Sequence, residues 1–149
     1  MRIALFQPDI AGNVGTILRT SACFGVGLDI IEPCGFPYSD RKLKRAGMDY
    51  AAEADVSRHA DWAAFRESRP ARIALLTVDG DTALPDARFE PGDILMAGSE
   101  SAGAPPYVHD AAAMRIHIPM RPRFRSLNVA IATGIALGEA LRQTGNWPE

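Results

Sequence analysis

Residues 1–31, MRIALFQPDIAGNVGTILRTSACFGVGLDII, hold the pattern from which the fold class follows. Ile3 to Phe6 is a short apolar run stopped by Pro8, the length and punctuation of a buried strand. From Asn13 to Phe24 the apolar spacing becomes helical, with Asn13 placed to cap the first turn and Gly25-Val26-Gly27 closing the segment. Leu28 to Ile31 is a second apolar run. Strand, helix and strand in this order form the repeating unit of a parallel sheet covered by helices.

Outward from this unit the alternation continues. Ile73 to Val78, Ile94 to Ala97 and Met114 to Ile118 are expected strands. Asp61 to Ser68, opened by a capping Asp61, and Asn128 to Gln143, closed by Gly145, are expected helices. Pro33 to Asp40, Asp79 to Gly92 and Pro119 to Ser126 carry the prolines and glycines of loops. No stretch has the composition of an interdomain linker, and no internal repeat is present, so residues 1–149 are expected to form a single α/β domain with a mostly parallel sheet flanked by helices.

A composition of 47% hydrophobic and 23% charged residues belongs to an ordinary folded domain, not to a disordered or fibrous chain. Cys23 and Cys34 form no CxxC pair and are expected as buried, reduced thiols. His59, His109 and His117 show no metal-ligand spacing, and no metal is expected. The N-terminal apolar run is too short for a signal segment, and nothing approaches membrane-spanning length; a cytoplasmic location is expected. The net charge of -2 argues against a surface that grips nucleic acid everywhere. Its distribution permits local grip, because Arg41, Lys42, Lys44 and Arg45 cluster in one segment and Arg121, Arg123 and Arg125 in another.

The chemistry-bearing candidates lie at strand ends, where parallel α/β domains bind ligands. Asn13-Val14-Gly15-Thr16-Ile17-Leu18-Arg19 follows the first strand, and Arg19 is a candidate for holding a phosphate or a developing oxyanion. Gly98-Ser99-Glu100-Ser101-Ala102-Gly103 follows Ile94 to Ala97 as a glycine-bracketed loop suited to close backbone approach by a nucleotide-like cofactor. It matches neither GxGxxG nor a phosphate-binding P-loop. Ile116-His117-Ile118-Pro119-Met120 leads through Arg121 to Arg125 into Ser126-Leu127-Asn128, the start of the last helix; His117 alternates with apolar neighbours and is read as structural. In that helix Val129, Ile131, Ala132, Ile135, Ala136, Leu137, Ala140 and Leu141 make an apolar stripe too broad for one buried face, and a homodimer contact is expected there.

The three motifs in this order, Asn13-x-Gly15-x-x-x-Arg19, Gly98-x-Glu100-x-x-Gly103 and Ile118-Pro119-Met120 with Ser126-Leu127-Asn128, resemble those of the SPOUT-class RNA 2′-O-methyltransferases. Ile31-Glu32-Pro33, Gly35-Phe36 and Arg45 to Tyr50 are similar to the compact branch that acts on the tRNA wobble ribose. Gly12 departs from that pattern, where relatives often carry Pro, as do Val129 and Ala130. The resemblance implies a C-terminal deep trefoil knot, S-adenosyl-L-methionine (SAM) as cofactor, a tRNA anticodon loop as substrate and an active site completed across a homodimer. It also implies cofactor contacts at Leu76, Gly98, Ile118 and Ser126, catalytic positions at Arg19, Glu100, Ser126 and Asn128, and an RNA-facing Asn13. Arg41, Lys42, Arg45, Arg121, Arg123 and Arg125 are expected on RNA phosphates, with Tyr38 or Phe124 stacking on a base. Another RNA ribose, or a knotted RNA-binding protein without turnover, remains open at this point.

Overall fold

The structure is a computed structural model that describes residues 1–37, 39, 50 and 52–149. Arg41, Lys42, Lys44, Arg45 and Tyr38 lie outside the described residues. In chain order the elements are β1 (Arg2–Phe6), α1 (Ala11–Phe24), β2 (Gly27–Ile31), β3 (Val56–His59), α2 (Trp62–Ser68), β4 (Ile73–Leu76), β5 (Thr82–Ala83), a 3-10 turn (Leu84–Asp86), β6 (Ile94–Ala97), α3 (Pro106–Ala111), β7 (Met114–His117) and α4 (Val129–Thr144). Among the described residues the strands form one seven-stranded sheet in the order β3-β2-β1-β6-β4-β7-β5, and every pairing is parallel.

Because side chains alternate across a strand, each central strand feeds two cores. On one face Ile3, Leu5, Leu28, Ile30, Leu95 and Ala97 pack with Val14, Ile17 and Leu18 of α1 and Ala136, Leu137, Ala140 and Leu141 of α4. On the other Ala4, Phe6, Ile31, Ile73, Leu75 and Met96 meet Phe65 of α2 and Val108 of α3. Helices thus cover both sides, as a buried parallel sheet requires. The side chain of Asp29 is fully buried in β2, and its charge is met by Arg2 at 2.6 Å, His59 at 2.8 Å and Arg69 at 3.2 Å.

The main alternation agrees with the sequence reading, and the differences have local causes. α1 starts at Ala11 with Ile10 at the cap position, so Asn13 does not cap it; that side chain is drawn away by partners described below. Asp61 and Asn128 do cap α2 and α4, accepting from Ala64 N at 2.8 Å and from Ala130 N at 2.9 Å. β4 stops at Leu76, not Val78, because Thr77 turns out of the sheet while its N–H still reaches Ile116 O at 2.9 Å. β7 likewise ends at His117, one residue before Ile118. β3, β5 and α3 escape the sequence reading: the two strands are short, polar and at the sheet edges, and α3 is a single six-residue stretch opened by Pro106. Cys23 is exposed and Cys34 half-buried, which corrects the expectation of two buried thiols; Cys23 falls on the solvent side of α1.

β7 occupies a special place. It lies between β4 and β5, which are joined by residues 77–81 alone, and Ile116 is level with both Leu76 and Thr82. The joining segment therefore straps across β7. Gly80 makes this possible, since a Cβ there would sit 2.6 Å from the backbone of Ile116 and His117. His117 Nδ1 lies 2.9 Å from Gly80 O and fixes the crossing, which agrees with a structural reading of this histidine.

Candidate active site

The strand order changes direction beside β1: β2 and β3 follow on one side, β6 and β4 lie on the other. Ligand crevices in parallel sheets form outside the carboxyl ends of strands at such a point. A cleft of about 900 Å³ opens there. Its walls come from the start of α1 (Ile10, Asn13), the end of β4 and the strap that follows it (Leu76 to Asp79), the loop after β6 (Gly98 to Gly103) and the long segment from Ile116 to Ala132.

Local chemistry shapes each wall. Gln7, at φ +46°, turns the chain sharply off β1 and delivers Pro8-Asp9 toward the loop after β6. That loop is a tight hairpin, closed by Ser99 N–H donating to Gly103 O at 3.0 Å and Gly103 N–H to Ser99 O at 2.8 Å. Gly98 must be glycine for it to close, because a Cβ would lie 2.6 Å from Ala104 N.

The hairpin presents Glu100 to the start of α1. Glu100 Oε2 accepts from Asp9 N–H at 2.7 Å and Oε1 accepts from Asn13 Nδ2 at 3.0 Å. Asn13 Oδ1 in turn accepts from Asn128 Nδ2 at 2.9 Å, and Asn128 Oδ1 caps α4. The directions are forced. A cap oxygen must accept from helix N–H groups, so the Asn128 amide must donate onward, and the chain of donors ends on the Glu100 carboxylate. Asp9 completes the arrangement by accepting from Ser101 N–H at 2.9 Å, and hydrogen bonds from Ser101 hold its carboxyl below the usual range. Nearby, burial first and the Glu32 charge second push the Cys34 thiol up.

Of the residues singled out in the sequence, Leu76, Gly98, Ile118, Ser126, Glu100, Asn128, Asn13, Arg121 and Arg125 all line this one cleft. Arg123 does not; it sits beside them in the exposed turn at φ +84°. Arg19 is also outside the cleft wall, exposed on α1 with its guanidinium 4.9 Å from the ring centre of Tyr50. Asn13, expected to face RNA, spends both ends of its amide on Glu100 and Asn128. Two contributors were not singled out. Asp9 carries no periodic or motif signal and reads as an ordinary turn acid; Gly80 looks like one more loop glycine until the strap is seen. No group of described residues has the makings of a metal site, and no described helix is long and apolar enough to cross a membrane.

The chain is 51% identical to a tRNA (cytidine(34)-2'-O)-methyltransferase of Beijerinckia indica, across 96% of this chain and 91% of that protein. A solved structure presented as structural insights into the 2-OH methylation of C/U34 on tRNA superposes with a TM-score of 0.90 at 43% identity, covering 95% of this chain and 94% of that one. An AdoMet-bound rRNA methyltransferase from Sinorhizobium meliloti superposes at 0.85 with 30% identity, over 95% of this chain and 55% of that one. Residues 1–138 match the SpoU rRNA Methylase family, and with the fold, the cleft and these relatives in agreement, the chain belongs to that family.

Proposed function

We propose that this chain transfers a methyl group from SAM to the ribose 2′-oxygen of the wobble nucleotide, cytidine or modified uridine, in the anticodon loop of cytoplasmic tRNA. The observation that carries the reading is the hydrogen-bonded chain Glu100–Asn13–Asn128, which draws three distant motifs together on one cleft wall. The relatives named above supply the substrate class.

The cleft fits the cofactor. Its volume falls in the range of small-molecule sites, and apolar Leu76, Ile118 and Val129 alternate with polar backbone and the hydroxyl of Ser126. Leu76, Gly98, Ile118 and Ser126 would hold SAM, which when bound supplies an electrophilic methyl group. The protein's task is to hold the ribose oxygen in line and to manage its proton. Each Glu100 oxygen accepts one hydrogen bond from the protein and keeps a further lone pair, so Glu100 orients the amides while it or a substrate phosphate takes the proton. Each amide of Asn13 and Asn128 keeps a second N–H for the cleft, where it stabilises developing negative charge.

Arg19 is assigned to the phosphate beside the reacting ribose and to that same charge; a guanidinium with a pKa above about 12 is a poor base. Its position outside its own cleft supports a homodimer in which it serves the partner's site. Ile10, Ile131 and Ile135, 50%, 55% and 45% exposed, give such a dimer an apolar contact. Arg121 and Arg125 at the rim, with Arg123 beside them, are assigned to phosphates, and Phe124, 70% exposed among them, to stacking on a splayed base. Arg41, Lys42 and Arg45 are assigned to the same backbone on their sequence alone. The strap of residues 77–81 over β7 supports the C-terminal threading of a trefoil knot.

Incubation with labelled SAM and tRNA lacking wobble ribose methylation tests the reading. Label in the tRNA is the expected result; bound SAM without transfer overturns it.

A further inference from the structure

The hydrogen bonds around Glu100 assign a role to a residue that the reaction as described does not use. We propose that Asp9 is a positioning residue for methyl transfer, fixing the Glu100 hairpin from two sides so that the Asn13 and Asn128 amides face the cleft in a single orientation. The inference rests on the proposed reaction and extends it by one residue.

Asp9 engages the hairpin twice. Its main-chain N–H donates to Glu100 Oε2 at 2.7 Å, and its carboxylate Oδ2 accepts from Ser101 N–H at 2.9 Å. Two consecutive hairpin residues are thus held by one residue of the β1–α1 turn, across 91 and 92 positions of chain. Neither bond belongs to the sheet, and neither closes the hairpin, which its own Ser99–Gly103 pair accomplishes. What the Asp9 contacts add is the direction in which the closed hairpin points. Since the donors run from Asn128 through Asn13 to Glu100, a displaced carboxylate leaves the Asn13 amide without a fixed acceptor, and the Asn128 amide loses its neighbour in turn.

The seat of Asp9 is itself tight. Gly35 N–H donates to Pro8 O at 2.9 Å, and a Cβ on Gly35 would stand 3.0 Å from Asp9 Cα and 3.1 Å from its Oδ1. Gly35→Ala therefore nudges Asp9 from behind without altering any charge. Asp9 is half-buried and outside both cores, so its removal leaves the packing that folds the chain in place.

Four proteins are compared, wild type, Asp9→Ala, Asp9→Asn and Gly35→Ala, for SAM dissociation constant, kcat with tRNA, KM for tRNA and Tm. Asp9→Ala is expected to weaken SAM binding and to lower kcat by about tenfold or more, the scale of one charge-assisted hydrogen bond, with KM for tRNA unchanged. Asp9→Asn keeps an acceptor for Ser101 N–H and is expected to recover most of the loss. Gly35→Ala is expected to shift the same two constants in the same direction, by a smaller factor, and it carries the test if Asp9→Ala does not fold. A lower Tm with kcat and SAM affinity intact marks a merely structural residue and overturns the proposal, as does equal damage from Asn and Ala. A wild-type chain that binds no SAM removes the reaction and this role with it, whereas SAM binding and transfer untouched by all three variants remove only the role of Asp9.

Discussion

Asn13 and Asn128, 115 positions apart in the chain, share a hydrogen bond of 2.9 Å in which the amide of Asn128 donates to the carbonyl oxygen of Asn13. The bond ties the first helix to the last one and fixes the flip of the Asn13 amide, whose nitrogen donates one N–H to the Glu100 carboxylate at 3.0 Å. Asn13→Asp removes that donor and sets two carboxylates at the distance of a hydrogen bond. Methyl transfer is expected to fall at least 100-fold, about 2.7 kcal/mol of transition-state stabilisation, while Tm moves by a few degrees at most. Steady-state rates beside a thermal melt decide it; near-normal turnover would show that the amide chain is not part of the reacting arrangement.

Gly80 presses against the backbone of β7, and a Cβ would reach to 2.6 Å from His117 N. Neither side of that contact is a flexible side-chain tip, so Gly80→Ala must lift the strap off the strand. A loss of about 2–3 kcal/mol is expected in equilibrium denaturation, as for other overpacked sites. The unfolding slope should stay near wild type.

Arg19 is held over Tyr50 with its guanidinium 4.9 Å from the ring centre. If it grips a phosphate through two N–H groups, Arg19→Lys keeps the charge but loses the fork. The expected outcome is unchanged SAM affinity with turnover reduced by at least about tenfold. Full turnover in the lysine variant would contradict that role, and a monomer by sedimentation would contradict its placement in the partner's site.

Glu139 on α4 accepts hydrogen bonds from Arg142 at 2.7 Å and Gln143 at 2.7 Å, and Gln143 carries the link to Ala87 O and Phe89 N–H at 3.0 Å each. Arg142 foremost, with Gln143, pushes the Glu139 carboxyl down from 4.5 to about 2. A carboxyl depressed by folding contributes stability that is complete above its unfolded pKa and is lost as the pH falls toward the folded one. Wild type should therefore lose more stability than Glu139→Gln between pH 4.5 and 2. The difference should be under about 1 kcal/mol, because Arg142 is largely exposed and water screens the pair. Denaturation midpoints of the two proteins at both ends of this window check it.

The central strands and the two long helices were legible because each obeys one strong local rule. β1, β2 and β6 are mostly apolar runs buried on both faces, interrupted in β2 only by the charge-paired Asp29, and α4 announces itself with Asn128 at one end and Gly145 at the other. β3 and β5 were not legible: Val56-Ser57-Arg58-His59 and Thr82-Ala83 are strands because a neighbour offers them an edge, which no local pattern records. The sequence points to Leu76, Gly98, Ile118, Ser126, Glu100 and Asn128 as site residues, and all six line the cleft. The parts that stayed hidden are pairings across long stretches of chain. Asn13 looked like a helix cap because asparagine near a helix start usually is one; its true partners are 87 and 115 residues away. Asp9 and Gly80 owe their importance to the backbone of distant segments, and a backbone contact leaves no mark on the residue types that make it.

Wobble ribose methylation is tested most directly by nucleoside mapping of tRNA, taken from a strain without its own wobble ribose methylase and incubated with this protein and SAM. A 2′-O-methyl group on the wobble nucleotide and on no other ribose is expected. Methylation at a different position, or none while SAM is bound, would contradict it.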